Sequence, residues 1–216
     1  RKESSAASDV YKRQALYMIR RIIKFINNRI KARLYKFLMG SFGRKSIITS
    51  PLKIDGKKRI YIGNKVIIEY KTWLAAMPLT GYDNCKLEIK DGVNIGHFNH
   101  IYATKSIIIE ENVLTADRVY ISDNLHCYED INIPIKQQPI IQKKEVIIGA
   151  GSWLGENVCV IGAKIGKQCV IGANSVVIHD IPDYCVAVGS PAKIIKRYDY
   201  STQIWKKTNY KGEFID

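Results

Sequence analysis

The four histidines are the side chains of this sequence best suited to exchange protons near neutral pH. His126 ends the segment VYISDNLH and precedes an insertion, residues 127–147, that has no regular pattern. An imidazole at the edge of a rigid element, beside such a loop, is well placed to act as a general base on a hydroxyl group. A surface histidine at a turn is the alternative interpretation. Cys127 follows directly, but adjacent strand residues point to opposite faces, which disfavours a cysteine–histidine nucleophile pair.

A six-residue repeat surrounds this histidine and predicts the scaffold that positions it. From Ile148 to Pro182 the sequence reads IGAGSW, LGENVC, VIGAK, IGKQCV, IGANSV and VIHDIP. Each unit opens with an aliphatic residue, and most then have a glycine, as at Gly149 and Gly166. This period is typical of a parallel β-helix, in which every unit is one short strand and a turn. Extended backwards, the frame predicts about five coils: 62–79, 89–106, 109–126, 148–164 and 165–182.

Charge and cysteine usage restrict the class of protein. Residues 1–60 contain 17 Lys and Arg and 3 Asp and Glu, a net charge of +14, whereas residues 61–216 contain 17 of each. A nucleic-acid-binding protein usually carries its cations on the folded recognition surface, so we expect no nucleic-acid partner. The five cysteines have no CxxC spacing and are expected to be reduced thiols of a cytoplasmic protein.

The two ends of the chain are expected to lie outside the repeat. Residues 1–14 predict a disordered leader, and 15–43 a basic amphipathic helix with apolar residues at helical spacing over 15–39. The charges exclude a membrane span. They leave open a contact of 15–39 with an anionic membrane, or packing of the apolar face on the β-helix or a neighbouring subunit. Residues 44–196 form the predicted β-helix domain, with 44–61 capping its first coil, and 197–216 form a tail.

Three blocks of sequence resemble a known family. They are VYISDNLH, SWLGENVCVIGAKIGKQCVIGANSVV and DIPDYCVAVGSPAKIIK, in this order. The chain resembles the left-handed β-helix acyltransferases with hexapeptide repeats, and in particular the branch that O-acetylates sugars. The resemblance implies an all-β fold, a left-handed parallel β-helix. Many relatives read S-D-H-N-H where this chain has Ser122 to His126, so Asn124 replaces the first histidine of that motif.

The resemblance also implies roles for individual residues. His126 would deprotonate the acceptor hydroxyl, Asn99 would hold the acceptor, and Asp123 would orient either His126 or the acceptor. Acetyl-CoA would be the acyl donor, without a metal. Its expected contacts lie along the C-terminal coils and the exit strand: Trp153, Ala173, Ile178, His179, Lys193 and Lys196. Direct transfer from the activated thioester requires positioning, a base and an oxyanion donor, so no nucleophilic side chain is expected.

The sequence therefore predicts an acetyl-CoA-dependent O-acetyltransferase of a sugar hydroxyl, acting in capsule, exopolysaccharide or lipopolysaccharide biosynthesis. We expect a homotrimer, because one flat face of a β-helix offers no pocket and paired faces would create one. An N-acyltransferase of an amino sugar nucleotide and a non-catalytic β-solenoid scaffold are the alternatives. A zinc carbonic anhydrase on this scaffold would need His97, His100 and His126 to converge on one metal ion.

Overall fold

Residues 41–177 wind into six coils of a left-handed parallel β-helix, each with three short strands. The computed structural model describes the backbone of residues 2–215 and the side chains of 10–19 and 28–215. The strands of the first three coils are β1 (Ser41–Phe42), β2 (Ile47–Ile48), β3 (Lys53–Asp55), β4 (Ile60–Ile62), β5 (Ile67–Ile68), β6 (Trp73–Ala76), β7 (Lys86–Ile89), β8 (Asn94–Ile95) and β9 (His100–Ala103).

The fourth coil precedes the long insertion, and the last two coils follow it. The remaining strands are β10 (Ser106–Ile109), β11 (Leu114–Thr115), β12 (Tyr120–Ser122), β13 (Asn124–His126), β14 (Ile140–Gln142), β15 (Val146–Ile148), β16 (Trp153–Leu154), β17 (Cys159–Ile161), β18 (Lys164–Ile165), β19 (Val170–Ile171), β20 (Val176–Val177), β21 (Cys185–Val188), β22 (Lys193–Asp199) and β23 (Ile204–Lys207). Two short 3₁₀ helices, Lys57–Arg59 and Ile135–Gln137, lie in connecting loops.

The residues that open the hexapeptides form the core. In one sheet Ile62, Ile89, Ile109, Ile148 and Ile165 stack in register from coil to coil. Each is at most 2% exposed, and a fully buried side chain of this size contributes about 1.5–3 kcal/mol. The predicted period is thus confirmed, because every third opener returns to the same side of the prism.

Glycines after the openers allow the coils to approach closely. A Cβ on Gly149 would lie against the backbone carbon of Gly166 in the next coil, at a distance far below van der Waals contact. This distance leaves no room for any other side chain at Gly149. The glycine of the repeat is therefore required by the contact between neighbouring turns of the chain.

The β-helix is one coil longer than the sequence analysis predicts. Residues 44–61 do not merely cap the array, because β1, β2 and β3 pair in parallel with β4, β5 and β6. Phe42, Ile48 and Ile54 provide openers spaced by six residues, and all three pack in the core. Pro51 and Gly56 interrupt the pattern in the sequence, but the structure accommodates both between strands.

Helix α1 (Lys2–Leu38) is longer than predicted. Residues 2–14 continue the helix rather than forming a disordered leader, since they contain no Pro or Gly and include several strong helix formers. The helix ends before Gly40, and the last turns of α1, with Met39, cover the open end of the first coil. Ala32 and Tyr35 pack against the core, and the Tyr35 ring lies 5.4 Å from that of Phe42.

The described members of the predicted apolar face of the helix point away from the β-helix. Its described members are exposed, from 49% for Leu16 to 78% for Phe37. We call the following residues the exposed apolar stripe: Leu16, Ile19, Ile30, Leu34 and Phe37. These five side chains do not pack on the β-helix of the same chain. The side chains of Ile22, Ile23 and Ile26 lie outside the described residues. Among the described residues, no helix is both long and apolar enough to cross a membrane.

The chain leaves the last coil through an antiparallel extension. β21 adds in parallel to β19, and then β22 and β23 follow as antiparallel strands. The tail predicted for 197–216 therefore begins inside a strand, because β22 runs from Lys193 to Asp199. Tyr184, Tyr198, Tyr200 and Trp205 form a cluster of edge-on and tilted rings on this extension.

Candidate active site

The insertion leaves the fourth coil as a two-stranded antiparallel hairpin. β12 ends at Ser122, and β13 then pairs with β14 so that His126 lies opposite Ile140. The sequence predicts His126 at the end of a coil strand, whereas the structure places it on the hairpin. Its side chain is exposed to solvent. An accessible imidazole near the base of a two-stranded arm meets the first requirement for a general base, access to the proton it must take.

The base of the hairpin is held by one glutamine. The Gln142 side-chain amide donates to the carbonyl oxygens of Asp123 at 2.6 Å and of Lys143 at 3.0 Å. Its Oε1 accepts hydrogen bonds from the hydroxyl groups of Thr80 at 2.6 Å and Thr104 at 3.0 Å. Gln142 thus fixes the hairpin to two separate loops of the β-helix, and it restricts where His126 can lie.

Asp123 has a structural role that differs from the expected one. The residue is fully buried, and its two carboxylate oxygens accept hydrogen bonds from the backbone N–H groups of Thr104, Lys105 and Ser106 at 2.7–2.8 Å. The Thr104 hydroxyl and the Asn124 amide also donate to it. These five bonds satisfy the carboxylate within the turn between β9 and β10, so it is not available to orient His126 or an acceptor.

Asn99 is also an interior residue of a turn. It is 1% exposed, and its side-chain oxygen accepts hydrogen bonds from the Val119 N–H group and the Thr115 hydroxyl. Its amide donates to the carbonyl oxygens of His97 and Ala116. All the hydrogen-bonding groups of the Asn99 side chain therefore have partners inside the turn, and its expected contact with the acceptor stays a prediction.

His100, next to Asn99, lies on the outer face of β9 in an aromatic cluster. Its ring stacks on that of Trp73 at 4.3 Å with an interplanar angle of 5°, and Tyr102 and Tyr120 contact it at an angle. Its Nε2 atom is buried and has no hydrogen-bond partner among the described residues. Burial lowers the pKa of His100. Packing therefore disfavours the protonated form of this histidine.

A cleft of about 640 Å³ separates the base of the hairpin from the last two coils. Leu125 lines it from the hairpin, and the predicted coenzyme contacts Ile178 and His179 line it from the opposite side. Its other lining residues are Gln142, Lys143, Lys144, Ile161, Gly162 and Asp180. The structure thus places two of the expected ligand-binding residues beside the hairpin that carries His126, and a single chain does form a cleft.

His126 and Leu125 project from opposite faces of the hairpin, as adjacent strand residues do. Leu125 faces the cleft, and the imidazole is not among the residues that line it. Cys127 is a poor nucleophile, because desolvation and the Glu129 carboxylate raise the pKa of its thiol. The chemistry available on the outer face of the hairpin is therefore that of the imidazole.

The other expected coenzyme contacts lie elsewhere on the surface. Trp153 is 47% exposed on β16, and Lys193 and Lys196 are exposed on β22 of the same sheet. The Lys193 ammonium lies 5.5 Å from the centre of the Tyr210 ring. Ala173 is exposed in the turn between β19 and β20. These four residues do not line the cleft beside Ile178 and His179.

Sequence reasoning missed the polar residues of the returning strand. Gln142 anchors the hairpin, and Lys143 and Lys144 line the cleft, with the Lys144 ammonium 3.7 Å from the Asp180 carboxylate. The two consecutive isoleucines before Gln142 are a weak signal for this strand, since β-branched residues favour strands. The isoleucine pair lies in the insertion 127–147, where the six-residue repeat is interrupted and does not indicate a strand.

The described residues contain no group of three or more His, Cys, Asp or Glu side chains arranged to hold a metal ion. His97 Nδ1 lies 3.1 Å from the Asp117 carboxylate, in a turn of the third coil. His100 stacks on Trp73 and His126 lies on the hairpin, so the three histidines occupy three separate environments.

Comparison with known proteins identifies the family, although no family model matches the chain. A protein of Saccharomyces cerevisiae named as an acetyltransferase is 32% identical over 168 residues, which cover 77% of this chain and 70% of the yeast protein. The chain belongs to the hexapeptide-repeat acetyltransferases. Solved members of this fold family match over most of its length. The N-acyltransferase AntD from Bacillus cereus has a TM-score of 0.66 at 20% identity, over 80% of this chain and 90% of AntD.

Two bacterial relatives match over shorter segments. A protein of Mycobacterium tuberculosis named as an acetyltransferase is 45% identical over 53% of this chain and 38% of its own length. A protein of Escherichia coli named as a lipopolysaccharide biosynthesis O-acetyl transferase is 39% identical over 54% of this chain and 63% of its own length. The chain therefore spans less than two thirds of either protein. A hexapeptide-repeat acetyltransferase of Vibrio cholerae, solved with acetyl coenzyme A, matches with a TM-score of 0.50 at 25% identity, over 77% of this chain and 75% of that structure.

Proposed function

We propose that this protein transfers an acetyl group from acetyl-CoA to a hydroxyl group of a sugar, with His126 as the general base. The observation that carries the proposal is the exposed imidazole on an anchored hairpin, in a chain of the acetyltransferase family. The E. coli relative supports a sugar-linked acceptor and O-acetylation. The acetyl-CoA complex of the V. cholerae relative supports acetyl-CoA as the donor.

The proposed step needs one residue that can both take and return a proton. His126 takes the proton of the acceptor hydroxyl while the oxygen attacks the thioester carbonyl carbon. The tetrahedral intermediate then collapses, the carbon–sulfur bond breaks, and the imidazolium returns the proton to the departing coenzyme A thiolate. Binding aligns donor and acceptor, which reduces the entropic barrier of the reaction. The products are the acetyl ester and coenzyme A.

We place part of the donor in the cleft between the hairpin and the last coils. Ile178 provides apolar contact there, and His179, Lys143 and Lys144 provide groups suited to phosphate or amide oxygens. Trp153, Lys193 and Lys196 lie outside this cleft on another sheet. A homotrimer would bring the sheet with Trp153 on one subunit against the outer face of the hairpin on the next, and complete the site between them.

We further propose that the protein acts at the cytoplasmic surface of a membrane through residues 15–39. The exposed apolar stripe supports this contact, as does the net charge of +14 in the first 60 residues. An acceptor assembled at that surface, such as a precursor of lipopolysaccharide, exopolysaccharide or capsule, would then lie near the active site.

The test is a panel of sugars and amino sugar nucleotides incubated with acetyl-CoA, with free thiol release as the signal. We expect thiol release with a hydroxyl acceptor and a drop in kcat of about 10²–10⁴-fold for His126→Ala, the effect of losing a positioned base. The KM for acetyl-CoA should change little. His97→Ala is the matched control, since it removes another partly exposed imidazole outside the hairpin, beside Asp117.

The possible outcomes separate the hypotheses. If only amino groups are acetylated, the acceptor is an amine and not a hydroxyl group. Near-normal turnover of His126→Ala would exclude this residue as the base. No thiol release with any acceptor, together with no acetyl-CoA binding, would favour a non-catalytic scaffold.

A further inference from the structure

A groove of about 620 Å³ runs between the last turns of α1 and the first coil. Arg29, Arg33 and Lys36 line it from the helix, at positions i, i+4 and i+7 of one helical side, and we call them the cationic stripe. Arg44 and Lys45 line it from the first coil. Five cationic side chains thus converge on one groove from two walls.

The described lining of the groove is cationic and neutral. Its described lining residues include neither Asp nor Glu. Arg33, Lys36, Arg44 and Lys45 form no ion pair among the described residues. Like charges that line one groove repel one another, so a bound anion would relieve an unfavourable electrostatic interaction. Arginine pairs from two walls suit the oxygens of a phosphate group, which accept paired hydrogen bonds.

The position of the cationic stripe on the helix indicates which kind of anion fits the groove. Consecutive residues of an α-helix are about 100° apart around its axis. Ala32 packs on the core, Arg33 lines the groove, and Leu34 belongs to the exposed apolar stripe. The groove therefore lies directly beside an exposed apolar surface of the same helix. A ligand that matches both surfaces has a phosphate group at one end and hydrocarbon next to it.

We propose that this groove is a binding site for the phosphate head group of an anionic membrane phospholipid. The phosphate lies between α1 and the first coil, and the hydrocarbon lies along the exposed apolar stripe. The inference rests on the membrane contact proposed above and specifies its chemistry. It predicts that binding depends on the particular cations of the groove and not on net charge alone.

The experiment measures co-sedimentation with phosphatidylcholine vesicles that do or do not contain phosphatidic acid. The variant Arg33→Gln with Arg44→Gln removes one cation from each wall. We expect it to bind the anionic vesicles about tenfold or more weakly than the unmodified chain, as for the loss of two contacting cations. Lys57→Gln with Lys71→Gln is the matched control, because both lysines are exposed outside the groove and the loss of charge is the same.

Three results would overturn the inference. Equal weakening by both double variants would show that only net charge matters. Full binding by the groove variant would show that the membrane contact lies elsewhere on the chain. Binding of inorganic pyrophosphate in calorimetry, without binding to either vesicle, would identify a soluble phosphate compound as the ligand.

Two further measurements keep the test independent of folding and of the transfer reaction. Circular dichroism gives the unfolding midpoint of each variant, and Lys36→Gln with Lys45→Gln replaces the first pair if that pair fails to fold. Acetyl transfer to a soluble sugar is measured on the same samples. We expect it to persist when vesicle binding is lost, so failure of the groove and failure of the proposed reaction give different results.

Discussion

The polar residues around VYISDNLH divide into two groups by burial. Asp123 and Asn99 face inward, and turn backbone or side-chain groups occupy their oxygens, whereas His126 is exposed on the hairpin. A buried polar group without a partner costs free energy, so interior turns of a narrow prism require such side chains. Sequence alone does not separate the two groups, because a turn-stabilising carboxylate and a catalytic one both follow a strand.

The burial of Asp123 leads to a prediction on stability. Asp123→Ala would leave three N–H groups of the turn between β9 and β10 without an acceptor, two of them on buried residues. We expect the free energy of unfolding to fall by about 3 kcal/mol or more, since buried bonds to a charged group are lost. Asp130→Ala, in the exposed part of the insertion, should cost about 0.5 kcal/mol or less. Urea unfolding measures both, and an unchanged midpoint for Asp123→Ala would contradict the structural role.

His100 predicts a dependence of stability on pH. Burial lowers its pKa in the folded chain below the ordinary value of about 6.5, so the unfolded chain binds the proton more readily. The stability it contributes is complete above pH 6.5 and is lost as the pH falls from there towards its folded pKa. His100→Phe keeps an aromatic ring against Trp73 but cannot titrate. Its free energy of unfolding should vary less between pH 6.5 and 5 than that of the unmodified chain, and equal slopes would contradict this assignment.

At the scale of elements, the strands were predictable because their period records which side chains enter the core. All openers from Ile62 to Val177 are buried as the repeat requires. The hairpin was not predictable in the same way, because β13 and β14 pair with each other outside the prism and carry no six-residue period. The helix was predictable in type but not in orientation. Ala32 and Tyr35 pack on the coil, while the more apolar Leu34 and Phe37 are exposed.

The anchoring of the hairpin leads to a prediction on catalysis. Gln142→Ala removes the side-chain bonds that tie the hairpin to Thr80 and Thr104, so His126 is held less firmly. We expect kcat to fall about tenfold to a hundredfold, as for a displaced catalytic group. Gln137→Ala is the matched control, since Gln137 is an exposed residue of the same insertion. Equal activity of the two variants would show that the anchor does not position the base.

At the scale of the whole molecule, the expected site residues fall into two separate groups on one chain. Ile178 and His179 share the cleft with the hairpin, and Trp153 and Lys193 lie on another sheet. Periodicity predicts which sheet a residue belongs to. It does not predict which sheets of neighbouring subunits meet, because that depends on surfaces that the repeat leaves unconstrained.

The proposed homotrimer can be tested by complementation. Chains with His126→Ala are mixed with chains carrying Trp153→Ala and Lys193→Gln, then unfolded and reassembled together. If the base and the coenzyme face come from different subunits, about a quarter of the sites in random mixtures combine two intact faces. Acetyl transfer should then return in the mixture but not in either variant alone. Mixed assembly without any activity, or full activity of a monomer in light scattering, would exclude shared sites.

The two ends of the β-helix differ from its middle, and this difference limits the addition of further copies of the chain to its ends. A stack of parallel coils presents an open edge of backbone N–H and C=O groups at each end, onto which another copy could add. The last turns of α1 cover one end, and the antiparallel strands β22 and β23 extend one sheet at the other in the opposite polarity. The helix therefore covers the edge onto which another copy could add at the first end, and at the other end the antiparallel strands interrupt the parallel register that a further coil would continue in this sheet.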